Sequence, residues 1–210
     1  MPNILFIERP IELLFLQGAG DGGNLTTFTF SSQNLGVASA DRRIVVCTRA
    51  RRDFAGTVTS ATIGGVAATI HINDSIGLGS TAIFSAIVPT GATGDIVITW
   101  SILQVACTIS AYSIKGESSA TPEFAISDLS SPLDITPTIS GNTAVIAHGG
   151  TQSASASFTW SGSLGVVENL DHIAGVITQS TASLVTSGSG NIVATPTVVS
   201  SPALQVIGWK

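Results

Sequence analysis

The chain is expected to fold as an all-β protein: a single antiparallel β-sandwich of jelly-roll or Greek-key type, with an N-terminal apolar arm or edge strand. Three observations predict this. Short runs rich in Val, Ile and Thr recur along most of the 210 residues. Gly- and Pro-bearing turn segments separate them at fairly even spacing, as in sandwiches and barrels. No stretch keeps helical periodicity over three turns.

Residues 1–17, MPNILFIERPIELLFLQ, differ from the rest in being rich in Leu, Ile and Phe and lacking Ser and Thr. Pro10 divides them into a strand-like Ile4–Ile7 and a second run, Ile11–Leu16, which reads either as a short helix with Pro10 in its first turn or as a strand. Two roles stay open: an edge strand of the chain's own sandwich, or an arm that docks on a neighbouring subunit through Ile4, Phe6, Ile7, Leu13 and Phe15. Residues 18–24, GAGDGGN, read as a flexible joint. They satisfy G-x-G-x-x-G literally, but that motif needs a helix after it, and LTTFTF follows instead.

The remaining residues, 25–210, are expected to form the sandwich. Strands are predicted near 26–30, 43–49, 57–63, 66–72, 81–88, 95–101, 106–114, 143–148, 155–160, 172–178 and 204–209. Gly64-Gly65 joins two β-prone runs and suits a type I′ or II′ turn, because both central residues can take positive φ. Residues 89–94, PTGATG, and 187–191, SGSGN, are further turns. Residues 121–137 carry Pro122, Pro132 and Pro137 and read as a long crossover. No internal repeat is evident, and one domain is expected, with both halves contributing to both sheets.

Only 10% of the residues are charged although mean hydropathy is +0.47, so Ser, Thr, Gly and Asn must build the surface. Ordinary domains carry about 25% charged residues. Such a surface suits a protein that ends up packed in an assembly. A net charge of −5 argues against nucleic acid as the main partner. No apolar run approaches the ~20 residues of a membrane-spanning helix, so no membrane partner is expected. The first residues lack a basic segment ahead of an apolar one, so no signal peptide is expected. Cys47 and Cys107 read as buried thiols, although spacing alone does not settle whether they bond.

Residues that could carry chemistry are sparse. His71, His148 and His172 share no metal-ligand spacing, and neither cysteine sits in a C-x-x-C pair. No G-x-S-x-G elbow links a strand to a helix. Carboxylates such as Asp95, Glu117, Glu123 and Asp128 form no marked pair, and aromatic residues, the usual sugar platforms, are only 6%. No catalytic residue, metal or cofactor is therefore expected. The one charge feature is Arg42, Arg43, Arg49, Arg51 and Arg52, which are five of the eight basic residues. Arg49, Arg51 and Arg52 read either as a solvated strand end or as a docking patch whose guanidinium forks meet carboxylates of a neighbour. Trp100, Trp160 and Trp209 each close a predicted strand and are expected in core packing or as lids.

Several of these segments together resemble a known group. They are Arg42–Val46, then TVTSATIGGVAAT (57–69), AIVPTGATGDIVITW (86–100), ISAYSIKG (109–116) and the T-P-x-x-x-x-S stretch from Thr121 to Ser127. Over residues 24–209 the chain is similar in order and spacing to β-sandwich virion structural proteins of tailed bacteriophages and prophages, notably of marine and soil α-proteobacteria. Gly64-Gly65 and residues 89–95 carry most of the likeness, and residues 1–17 fall outside it. The resemblance implies a structural virion role with no defined catalytic site. The leading expectation is a capsid decoration (cement or head-fibre) protein. It would sit on the major capsid protein, as a homotrimer, with the N-terminal segment and Arg49–Arg52 making the contacts. The runner-up is a tail, baseplate or receptor-binding component that recognises protein or cell-surface glycan.

Overall fold

A computed structural model describes residues 10–51 and 56–210, and every described element is a strand. In chain order these are β1 (Glu12–Asp21), β2 (Leu25–Asn34), β3 (Arg43–Arg51), β4 (Val58–Ile63), β5 (Val66–Ala67), β6 (Thr69–Ile76), β7 (Gly79–Ile87), β8 (Thr93–Gln104) and β9 (Ala106–Lys115). They continue with β10 (Phe124–Asp128), β11 (Leu133–Ile135), β12 (Thr143–Thr151), β13 (Phe158–Ser161), β14 (Val167–Ala174), β15 (Ile177–Thr186), β16 (Ile192–Pro196) and β17 (Ala203–Trp209). All pairings are antiparallel.

The sandwich class is what the chain adopts, with four layers where a simple sandwich has two. Strands β1 to β9 make an inner sheet, β1-β9-β3-β7-β6, and an outer sheet, β2-β8-β4-β5. Strands β10 to β17 make a second inner sheet, β10-β17-β12-β15-β14, and a second outer sheet, β11-β16-β13. Among the described residues no sheet mixes strands of the two halves, contrary to the expectation that both halves would share sheets. The second half repeats the topology of the first. Matching β10–β17 to β1, β2, β3, β4, β6, β7, β8 and β9 reproduces both sheet orders, with β5 as the one addition among the described residues. Flank contacts repeat as well: β1 lies against β14, and β6 against β10. A two-fold-like relation between the halves produces that reciprocity.

Side-chain alternation explains the layers. On β3, Ile44, Val46 and Ala50 point to the outer sheet and meet Phe28, Ile63, Ile98 and Trp100. Val45 and Cys47 point the other way and meet Ala144, Ile146, Ile207 and Trp209 of the second half. Strand β12 repeats the pattern, its Val145 and Ala147 packing on Phe158, Ile192 and Ala194. A strand covered on both faces loses polar alternation and becomes buried throughout. That is the state of β3, β7, β9, β12 and β17 along most or all of their length.

Local expectations fare unevenly. Gly64 and Gly65 take φ of 57° and 80° and turn β4 into β5, as two positive-φ residues should. The run Ile11–Leu16 enters a strand, β1, which forms the edge of the first inner sheet. That strand runs on through Gly18 and Gly20 to Asp21, so these glycines are packing positions. A Cβ at Gly18 would collide with Leu170, and one at Gly20 would stand 2.6 Å from His172 Nε2. The segment expected as a strand over 172–178 is instead the hairpin between β14 and β15, turning at Gly175 (φ 56°). The crossover at 121–137 contains two short strands, β10 and β11.

Candidate functional site

Three clusters gather the charged and polar side chains that the sequence singled out. All are built on β3 and the strands beside it. At one end, Arg42 is fully buried and clamps the neighbouring loops from inside. Its Nε donates to Val88 O at 2.8 Å, Nη1 to Gly36 O at 2.7 Å, and Nη2 to Thr90 O and Gly91 O, both at 2.8 Å. These loops wall a groove of about 490 Å³ that brings together Gly64, Gly65, Pro89 and Asp95. Glycine is required at position 94 on its wall, because a Cβ there would lie 2.8 Å from Gly64 Cα. No aromatic ring of the described residues lines the groove.

Next to it, Arg43 Nε meets Glu117 Oε1 at 2.7 Å, and Nη1 donates to Ser85 Oγ at 3.1 Å. The guanidinium lies 5.4 Å from the Trp209 ring centroid, and His71 packs edge-on against that ring at 5.3 Å. Burial holds the Glu117 carboxyl above the usual range while Arg43 pulls it down. Burial, aided by Arg43, pushes His71 down to about 4, so its ring is neutral at pH 7. This cluster ties the first inner sheet to the last strand of the chain.

The third cluster is a polar seam between the inner sheets, and it is the most developed of the three. It consists of seven residues without surface exposure, or nearly so: Arg49, Thr81, Thr108, His148, Gln179, Thr181 and Gln205. Hydrogen bonds cross from half to half. Thr81 Oγ1 donates to Gln205 Oε1 at 3.0 Å, and Thr108 Oγ1 donates to Gln179 Oε1 at 2.6 Å. Gln179 Nε2 donates to Ser110 Oγ at 2.7 Å, and Gln205 Nε2 to Asp74 Oδ2 at 3.0 Å. Tyr112 adds a hydroxyl bond to Asn169 Oδ1 at 2.9 Å. Desolvation lowers His148 to about 3 despite a contact with Gln205, so it is an uncharged spacer at pH 7. A ring so enclosed has no path to a substrate proton, and the seam's chemistry is cohesion between layers.

The residues proposed for partner contact are dispersed. Leu13 and Phe15 are partly buried against the core between the inner sheets, Phe15 standing edge-on to Tyr112 at 5.3 Å. Arg49 is wholly inside the molecule and presents nothing to a neighbour, because alternation along β3 aims it into the seam. Arg51 is half-buried at the strand end. Ile4, Phe6, Ile7 and Arg52 lie outside the described residues. What sequence reasoning missed is the seam itself. Thr, Gln and Ser on β-prone runs look the same whether they face water or a second sheet. Cys47 and Cys107 are free and buried, and burial raises both thiols, Cys107 to about 12. Among the described residues, no three His, Cys, Asp or Glu side chains gather as a metal site would require. No protein-family model matches the chain, and no curated protein sequence does either.

Proposed function

We propose that this chain is a structural protein of a tailed-phage virion, most specifically a decoration protein bound to the major capsid protein, rather than an enzyme. The observation that carries the reading is the pairing of charge-poor antiparallel layers with aliphatic side chains left in solvent. Leu14 (59%), Val37 (77%), Val167 (63%) and Val199 (58%) are the most exposed of these. Such residues gain when a neighbour covers them, and repeated interfaces on a particle supply that cover. We read the interleaved strand order as jelly-roll order, which recurs in viral capsid and lectin domains; this support is a fold-level analogy. The family resemblance adds the phage context. Docking falls to the apolar segment Ile4–Ile7 and to Arg51 and Arg52, with Arg49 assigned to the interior, and a homotrimer is the proposed unit.

Labelled protein imaged on particles tests this. Copies distributed over the shell support decoration, and a single ring at the tail tip moves the protein to the runner-up role. Absence from shell and tail ends the proposal. Deleting residues 1–9, which keeps β1 whole, is expected to abolish shell binding while far-UV circular dichroism stays unchanged. The tail reading gains from the groove beside Gly64-Gly65, but a groove without an aromatic ring among its described residues is a poor sugar platform.

A further inference from the structure

Arg49 is the one buried cation of the polar seam among the described residues, and two glycines, Gly79 and Gly150, flank its side chain. The side chain leaves β3 and passes between Gly79 of the first half and Gly150 of the second. A Cβ at Gly150 would stand 2.5 Å from Arg49 Cδ and 3.1 Å from Nη1, and one at Gly79 would collide with Nη2. Only glycine at both places leaves room for the guanidinium. Nη2 donates to Ser201 O, whereas Nε and Nη1 are buried without a partner among the described residues. Gln152 Nε2, a third buried nitrogen without a partner, stands 3.2 Å from the same Cβ position at Gly79.

A buried guanidinium needs a counter-charge as well as acceptors, because burial without one is among the costlier arrangements in a protein. Desolvation pushes Arg49 down to about 10, with no carboxylate among the described residues contributing, and it stays protonated at pH 7. Glu117 belongs to Arg43, and Asp74 is taken by Gln205 and Ser127. His148, two residues before Gly150 on β12, is neutral and brings no negative charge.

We propose that Arg49 and Gln152 form a site for a small inorganic anion of the halide class, bound between Gly79 and Gly150 at the junction of the two halves. Delocalised guanidinium charge and an amide N–H are the donors such an anion takes in low-dielectric surroundings. The anion joins strands of both halves and stabilises their union by mass action.

Chloride is the probe. The thermal midpoint of the full chain is measured across chloride concentrations, with gluconate keeping ionic strength constant. Above the dissociation constant, each tenfold rise in chloride is expected to raise the midpoint by a few degrees, about what linkage gives for a chain of this size. Arg49→Met fills similar space without charge, and its midpoint, whatever its value, should not respond to chloride. Gln152→Glu brings a carboxylate to the guanidinium, so its chloride-free midpoint should exceed the wild type's and its response should vanish. Equal responses in wild type and Arg49→Met overturn the proposal. It also fails if the wild type ignores chloride while Asp53→Asn lowers the midpoint, since a carboxylate of the chain itself then meets the charge.

Discussion

His148 shows how strongly position governs a residue's chemistry in this protein. Its ring sits between two sheets, and burial keeps the proton off down to about pH 3. An unfolded histidine takes up its proton near pH 6.5. Between those values the unfolded chain holds more protons than the folded one, so stability is complete above pH 6.5 and declines as pH falls. Other groups titrate in the same range, Glu123 and Asp128 with lowered values among them. The comparison that isolates His148 is therefore with His148→Gln. Urea midpoints from pH 7.5 to 4.5 should fall less steeply in the variant, by the equivalent of one proton. Parallel curves would show that the ring is not excluded from protonation in the folded state. Nothing about the residues around His148 signalled this burial, since Ala144–Gly150 reads equally well as a half-exposed strand. Arg49 misled for the same reason: five arginines close in sequence suggest a surface patch, and alternation sends their guanidinium groups to different layers.

At the scale of elements, β1 is the instructive case. Its glycines look like a hinge in sequence, yet they lie in register with β9, where Gly18 pairs with Ser110 and Gly20 with Thr108. They are small because β14 crosses above them. Gly20→Ala should therefore cost about 1–3 kcal/mol, the usual range for overpacking. Gly22→Ala, with nothing within 4 Å of the added carbon, should stay within about 0.5 kcal/mol. Chemical denaturation of the two variants checks this, and equal losses would refute the packing role. Strands bounded by Gly-Gly or by Pro-bearing loops were legible, as β4, β7 and β8 illustrate. The β14–β15 hairpin was not, because Ile173, Ala174, Val176 and Ile177 surround Gly175 with apolar residues and conceal the turn.

For the molecule as a whole, the repeated topology escaped the sequence reading because the halves share an arrangement but only short runs, such as Ser80-Thr81-Ala82 on β7 and Ser180-Thr181-Ala182 on β15. Trp100, Trp160 and Trp209 fall on β8, β13 and β17, which are not equivalent strands in the two halves. Topology is kept by burial pattern, and many sequences satisfy one pattern. The interface between the halves has the character of a core, enclosing Val45, Tyr112, Ile146 and Trp209 together with the hydrogen-bonded seam. Neither inner sheet could be left uncovered without exposing those side chains. Heating should accordingly produce one cooperative transition with matching calorimetric and van't Hoff enthalpies. Two resolved transitions would mean that each half stands alone.

Residues 116–123 carry the chain directly from β9 to β10, so both halves travel on one backbone. Two separate proteins joined by such a surface would come apart on dilution, at a rate set by their concentration. A tether this short replaces that concentration with a fixed local one that no volume of solvent can lower. The pairing is therefore as durable in a single isolated molecule as in a crowded solution.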